Sequence, residues 1–413
     1  MAPKLPIDMT KKPSFMIVVL ALVTQYVHHT HALDWPMFRG PDHNGISKET
    51  QWAKQWPKEG PKKLWEAQVG IGFSSISTAH GLAYTLGHAD DQDTLVALDS
   101  ATGAVRWKHS YKSKLGAKFY QGGPGSTPTI DGDRLYAISK WGDLFCLNAK
   151  SGDILWQRQI EKEEGLTLPD WGFNGSPLIL GERLLLNAGG AGMALDKTTG
   201  KTLWLSNKEA SGYSTPLPFT WEGTTYVALS NEDYFLAAEV MSGKKSWEIR
   251  WPTRYGVNAA DPIIVGNEIW IGSGYGKGHG VYEVKGEETT VRWTNRELRT
   301  QQNAPILIDD YLFGFDGDGG SRAALKCVHR ETGEVAWEED TFKYGALSAA
   351  GDHLIVLSAQ GELIIAPASI TAFEPSARAQ ILDGKCWIVP VLSGGLLYAR
   401  NSDGRLVCLD LRP

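Results

Sequence analysis

Several features that mark common functional classes are missing from this sequence of 413 residues. The longest apolar run near the N-terminus, Phe15–Val23, is too short to span a bilayer as a helix. The net charge of −6 comes without a basic stripe, so nucleic acid is not an expected partner. The histidines beyond residue 32 lack metal-ligand spacing, and neither HExxH nor GxSxG occurs. These absences argue against a membrane-spanning helix, a zinc protease and a serine hydrolase.

The N-terminal residues have the pattern of a targeting segment. Lys11 and Lys12 precede the apolar run, and Thr30-His31-Ala32 is an acceptable cleavage site. We therefore predict a signal peptide over residues 1–32, with a buried strand or an uncleaved anchor as alternatives. The expected product is periplasmic or in the cell envelope, and soluble after cleavage. Residues 33–61, rich in Pro and Trp, predict an extension without a long helix that lies across the body of the protein.

What the sequence has in abundance is glycine and tryptophan, with 46 Gly and 16 Trp. Many of them belong to a repeated unit in which a small residue comes first, Gly six places later and Trp ten places later. A period of about 44 residues, with four short strand-like runs in each unit, indicates a propeller or an array. The five complete copies are Ala97–Trp107, Cys146–Trp156, Ala194–Trp204, Ala237–Trp247 and Cys327–Trp337.

Eight units can be counted over residues 62–413. Val281–Trp293 loses the Thr-Gly turn, and Leu363–Phe373 loses both Gly and Trp. The last unit ends after its third strand, and the run around Trp65 can supply the fourth. We predict an all-β, eight-bladed propeller of four-stranded antiparallel blades, closed by that N-terminal strand. The tryptophans expected to pack one blade on the next are Trp65, Trp107, Trp156, Trp204, Trp247, Trp293 and Trp337.

Three of the four cysteines occupy the same place in different repeats. Cys146, Cys327 and Cys408 stand where other units have Ala, so we expect small buried side chains rather than disulfide partners. Only the pair Cys386 and Cys408 is left open as a disulfide.

The pattern A-x-D-x-x-T-G-x-x-x-W resembles the tryptophan-docking motif of the pyrroloquinoline-quinone (PQQ) repeat. The resemblance covers Lys62 to Pro413. It implies the eight-bladed propeller shared by quinoprotein alcohol dehydrogenases and the outer-membrane assembly lipoprotein BamB. The Gly-His and Trp-Asp pairs of WD40 repeats and the Gly-Gly pair of kelch repeats are not found.

The resemblance also implies differences from both groups. The quinone enzymes use an adjacent Cys-Cys disulfide and a calcium ion beside the cofactor, and this chain has no adjacent Cys pair. We therefore predict no cofactor, with PQQ and calcium as an alternative that the cysteines do not support. No Cys follows the apolar run, so a lipid anchor at the cleavage site is not expected.

Loops that lead from a fourth strand to the next first strand should share one face with loops that join second and third strands. Aromatic and amide residues recur there, and they could line a central site for a planar or polar ligand, although we favour a structural role for them. In that role these side chains plug the channel and cap strands. The candidates are Tyr120, Trp171, Asn174, Tyr213, Tyr255, Asn258, Asn303, Tyr344 and Trp387.

The predicted function is an exported, monomeric binding or scaffold module whose partner is a protein, peptide or glycan. The alternative is a PQQ-dependent dehydrogenase acting on alcohols or sugars. An enzyme should show a quinone-sized pocket, a basic residue for the quinone carboxylates, and a carboxylate pair near a cation. A scaffold should show a filled or narrow funnel and an exposed apolar or strand-edge patch.

Overall fold

The computed structural model describes residues 33–318, 323–341 and 343–413, together with Met1. The signal-peptide prediction for residues 1–32 lies outside the described residues. Residues Leu33–Pro413 form one compact unit. Its strands make eight four-stranded antiparallel sheets arranged in a ring, which confirms the predicted eight-bladed propeller. No described helix is long and apolar enough to cross a membrane.

The first four blades follow one another along the chain. Blade 1 contains β3 (Ser77–Ala79), β4 (Leu82–Ala89), β5 (Gln92–Asp99) and β6 (Val105–Lys112). Blade 2 contains β7 (Thr129–Asp131), β8 (Arg134–Ile138), β9 (Asp143–Asn148) and β10 (Ile154–Gln159), followed by helix α1 (Ile160–Glu164). Blade 3 contains β11 (Leu178–Leu180), β12 (Arg183–Leu186), β13 (Met193–Asp196) and β14 (Thr202–Leu205). Blade 4 contains β15 (Leu217–Trp221), β16 (Thr224–Ser230), β17 (Tyr234–Glu239) and β18 (Lys245–Arg250).

The remaining blades include the two strands that precede blade 1. Blade 5 contains β19 (Ile263–Val265), β20 (Glu268–Ser273), β21 (Gly278–Lys285) and β22 (Glu288–Asn295). Blade 6 contains β23 (Ile306–Ile308), β24 (Tyr311–Asp316), β25 (Ala324–His329) and β26 (Val335–Glu339). Blade 7 contains β27 (Gly345–Ala350), β28 (His353–Ser358), β29 (Glu362–Pro367) and β30 (Ala377–Gln380), with β1 (Ile46–Ser47) added in parallel to β27. Blade 8 contains β31 (Val391–Ser393), β32 (Leu396–Arg400), β33 (Arg405–Asp410) and β2 (Lys62–Gln68).

The last blade is completed from the other end of the chain. Strand β2 pairs antiparallel with β33, and Trp65 lies opposite Cys408 in the register. The same pairing of a small residue with a tryptophan occurs between Ala97 and Trp107 in blade 1. The predicted closure of the ring by the strand around Trp65 is therefore confirmed.

Most of the repeated tryptophans contact the next blade with both the N–H edge and the face of the indole ring. The indole nitrogen of Trp65 donates a 2.9 Å hydrogen bond to the carbonyl of Ser100 in blade 1. A β-carbon on Gly103 would come within 2.6 Å of the same indole, so the turn glycine lets the ring approach. Carbonyls of the next blade likewise accept hydrogen bonds from the indole nitrogens of Trp107, Trp156, Trp204 and Trp337. The indole nitrogens of Trp247 and Trp293 have no hydrogen-bond partner among the described residues.

Residues 33–61, the extension, run across the inner strands of several blades. The amide of Thr78 in blade 1 donates to the carbonyl of Trp35, and the amide of Ile130 in blade 2 donates to the carbonyl of Pro36. Arg39 then donates to the carbonyls of Ala304 (3.0 Å) and Pro305 (3.1 Å), just before β23 of blade 6. Strand β1 next joins blade 7. The extension therefore crosses the central channel from one side of the ring to the other.

All four cysteines are free and buried. Cys386 and Cys408 are not bonded to each other, so the disulfide left open above is not present in the structure. Burial raises the pKa of the Cys327, Cys386 and Cys408 thiols to about 12. These thiols are therefore protonated at neutral pH, as expected of packing residues.

Candidate functional site

The central channel opens into a cavity of about 690 Å³ at the face that carries the loops from fourth to first strands and from second to third strands, here called the loop face. The loop before blade 2 contributes Phe119 and Tyr120, and the loop before blade 3 contributes Trp171. Tyr255 precedes blade 5, and Trp387 precedes blade 8. The central cavity is thus built from loops on opposite sides of the ring.

Aromatic side chains form much of the wall of this cavity. Phe73 contacts Tyr120 with ring centroids 5.5 Å apart, and it contacts Trp387 at 6.5 Å. Trp171 packs edge-to-face on Tyr213 at 6.0 Å. Such pairs hold ring faces in fixed orientations, so the wall offers preformed stacking surfaces.

Seven of the nine predicted site residues line this cavity. They are Tyr120, Trp171, Asn174, Tyr213, Tyr255, Asn303 and Trp387.

The other two predicted residues lie behind the wall, and their placement corrects the prediction. Asn258 is fully buried and donates to the carbonyls of Asn231, Glu232 and Trp251, so it shapes a loop. Tyr344 is also buried, and its ring packs on Trp387 at 5.3 Å.

Sequence reasoning missed several lining residues. Phe73 lies between β2 and β3, which is the fourth-to-first-strand loop across the ring closure. Tyr275 lies in the loop between β20 and β21, and Phe38 belongs to the extension. The first two could have been found by including every loop of the same class. The repeat pattern could not predict Phe38, because the extension lies outside the repeats.

Lysines sit against several of the wall aromatics. The Lys118 ammonium lies 5.1 Å from the Trp171 ring centre, and that of Lys385 lies 4.3 Å from Trp387. Lys140 is buried behind Tyr120, donates to its hydroxyl, and has its pKa lowered to about 8 by burial. Cation–π contact of this kind holds the rings in place and puts positive charge at the rim. Lys118 also pairs with Asp170 at 3.1 Å.

Polar side chains and one residue of the extension complete the lining of the cavity. The cavity touches Ser75, whereas the extension bonds to Thr78, three residues further along the same blade. Phe38 of the extension is part of the same lining. Next to it, burial raises the pKa of Asp261 to about 6, although the nearby Arg39 charge opposes the shift. Asp261 accepts a 2.7 Å hydrogen bond from the amide of Thr215.

The quinone and calcium of related enzymes fit this cavity only in part. A cavity of about 690 Å³ has room for a flat tricyclic ring system between the aromatic walls. Calcium needs six to eight oxygen ligands, and the described residues contain no group of three or more His, Cys, Asp or Glu side chains placed to hold a metal. The one basic side chain of the described lining, Lys118, is already paired. The donor set therefore does not fit calcium.

Comparison with known proteins agrees with this architecture. A family described as "Outer membrane protein assembly factor BamB" matches residues 50–168 and 91–339, which together span more than half of the chain. The chain therefore belongs to this family of PQQ-like β-propellers. A curated relative, the polyvinylalcohol dehydrogenase of Sphingopyxis sp. (strain 113P3), is 27% identical over 137 residues. That match covers 31% of this chain and only 19% of the dehydrogenase.

Solved structures show the same fold at low identity. BamB from Moraxella catarrhalis superimposes with a TM-score of 0.62 at 16% identity, over 85% of this chain and 100% of that chain. The quinohemoprotein alcohol dehydrogenase of Comamonas testosteroni gives a TM-score of 0.68 at 12% identity, over 92% of this chain and 80% of that chain. Both groups named by the sequence resemblance thus share the propeller, and the fold does not choose between their functions.

Proposed function

We propose that this protein is an exported binding module whose central cavity takes a ring-bearing polar ligand, such as the sugar units of a glycan. The carrying observation is the open cavity of about 690 Å³, whose lining combines aromatic side chains with polar ones. Aromatic faces pack on the C–H faces of sugar rings, while a few placed polar groups select hydroxyls. Export rests on the predicted signal peptide.

The open funnel is why a small ligand is preferred to a docking protein. A scaffold was expected to have a filled or narrow funnel, and this funnel is neither. Asn174 and Asn303 are held by backbone contacts, since their amide nitrogens donate to the carbonyls of Trp171 and Trp387. Those hydrogen bonds hold the amide groups at the wall, where their oxygens are available as acceptors.

Titration calorimetry against a panel of neutral oligosaccharides tests this proposal. We expect saturable binding that weakens about two- to tenfold in Trp387→Ala, because one stacking surface is worth about 0.5–1.5 kcal/mol. Trp221→Ala is the matched control, because Trp221 ends β15 at the opposite face and is not part of the cavity lining. Equal loss in both variants, or no binding by any sugar of the panel, contradicts the proposal.

A PQQ-dependent dehydrogenase is the second candidate, and the size of the cavity favours it. Titration with PQQ in the presence and absence of calcium, followed by absorbance and by dye reduction with alcohols or sugars, separates the two. Saturable quinone binding with substrate-dependent dye reduction would replace the glycan proposal. Sugar binding without quinone binding supports the binding module.

A further inference from the structure

A second cleft, of about 500 Å³, opens on the loop face between blades 4 and 5. Three chain segments build it: the loop that follows β18, the loop between β20 and β21, and the end of β22 with the residue after it. They contribute Trp251, Pro252, Thr253, Arg254, Tyr275, Gly276, Lys277, Thr294, Asn295 and Arg296.

The lining of this basic cleft carries cations without carboxylates. Arg254, Lys277 and Arg296 face it, and none of the three forms an ion pair with a described residue. The neighbouring acid Glu297 is not part of the lining and lies 3.6 Å from Lys326 instead. Two more acids lie nearby and outside the lining: Glu232 packs against Gly256, and the charge of Asp318 acts on Tyr275. Within this concave site Lys277 and Arg296 repel each other, and an anionic ligand relieves that repulsion.

Lys277 is held at the cleft by an aromatic ring. Its ammonium lies 4.4 Å from the centre of the Trp251 ring, which holds the side chain over the cleft. Burial lowers the pKa of Lys277, and the charges of Arg250 and Arg296 lower it further. The Trp251 ring is itself fixed, because its indole nitrogen donates to the hydroxyl of Ser273 at 3.2 Å. The cation is therefore positioned by packing rather than left to sample solvent freely.

We infer that this basic cleft binds a tetrahedral oxyanion, a phosphate or sulfate group, either free or carried by a saccharide. Guanidinium groups donate paired N–H bonds that match the oxygens of phosphate and sulfate, and an ammonium adds a point charge. The cleft supplies two guanidinium groups and one ammonium group. The inference does not depend on the glycan proposal, because the cleft has its own lining apart from Tyr275, which both sites share.

Calorimetric titration of the purified chain with inorganic phosphate, sulfate and a sulfated monosaccharide, at constant ionic strength set by chloride, tests the inference. We expect saturable binding of at least one probe and a loss of tenfold or more in Lys277→Gln. Lys108→Gln is the control, since it removes the same charge from the exposed outer strand β6. Thermal unfolding of each variant without ligand shows that it is folded.

The outcomes distinguish the source of the anion as well. Equal affinity for the free ion and the sulfated sugar points to a free oxyanion, whereas tighter binding of the sugar points to a saccharide carrier. Binding that weakens equally in Lys277→Gln and Lys108→Gln reflects net charge alone and overturns the inference. Absence of saturable binding by all three probes also overturns it, and neither result bears on neutral sugars in the central cavity.

Discussion

Replacing Gly103 by Ala tests whether contact between a turn glycine and a tryptophan joins the blades. Gly103 has φ of +72°, and an added β-carbon would lie 2.6 Å from the indole of Trp65. Gly81 in the same blade has φ of +73°, but a β-carbon there meets nothing within 4 Å. The two substitutions impose the same backbone strain, and only Gly103→Ala adds a collision. The difference between them isolates the contact across the ring closure.

The expected magnitudes follow from the two causes. Backbone strain at positive φ costs about 1–3 kcal/mol in either variant. Carbon atoms pack at about 3.5–4 Å, so a 2.6 Å approach must push the indole away, and overpacking of this kind costs about 1–3 kcal/mol more. We therefore expect the free energy of unfolding of Gly103→Ala to be about 1–3 kcal/mol below that of Gly81→Ala.

Urea unfolding followed by far-ultraviolet circular dichroism measures both values under one condition. A double variant with Trp65→Ala removes the collision, so the gap between the two glycine variants should close in that background. Equal stability of Gly103→Ala and Gly81→Ala in the wild-type background would refute the idea that the glycine makes room for the indole.

Three further predictions concern packing and charge. Trp107→Phe should cost about 1 kcal/mol more in urea unfolding than Trp247→Phe, since only Trp107 loses an indole hydrogen bond. Trp65→Ala should lower the free energy of unfolding by about 3–5 kcal/mol, as much as Trp156→Ala does, if the closing blade packs like the others. Asp261 holds its proton more tightly in the folded state, with a pKa of about 6 against 3.8. Relative to Asp261→Asn, the wild type should therefore lose up to about 3 kcal/mol between pH 4 and pH 7 in unfolding measured across that range.

The fold was predictable because its information is local and repeated. Each hairpin carries its own turn, and the paired residues are close in sequence. Ala97, for example, pairs with Trp107, ten positions further along the chain. Even the closure across the termini could be predicted, since a unit that lacks a fourth strand needs Trp65 from elsewhere. The path of the extension was not predictable, because Arg39 finds its carbonyl partners about 265 residues away. No period in the sequence marks such a contact.

The candidate site was predictable to the level of loops but not of side-chain direction. Every loop of one class reaches the same face, so aromatic residues such as Trp171 and Trp387 were found without a structure. Asn258 looked like a site residue because it stands in the same position of its loop as Asn174. Its amide instead binds three carbonyls inside the protein. Whether an amide turns inward depends on which carbonyls lack a partner, and that is decided by tertiary packing.

The extension has a part in any function of the central cavity, because Phe38 belongs to the lining. A propeller channel without it would run through the ring, and a ligand would meet solvent at both ends. Here Trp35 and Arg39 bind opposite sides of the ring, so Phe38 between them is held across the channel below the aromatic wall. The central cavity and the basic cleft share Tyr275 on the loop face. The repeats form the ring. The extension and the variable loops lie outside the repeat pattern, and their residues line the candidate site.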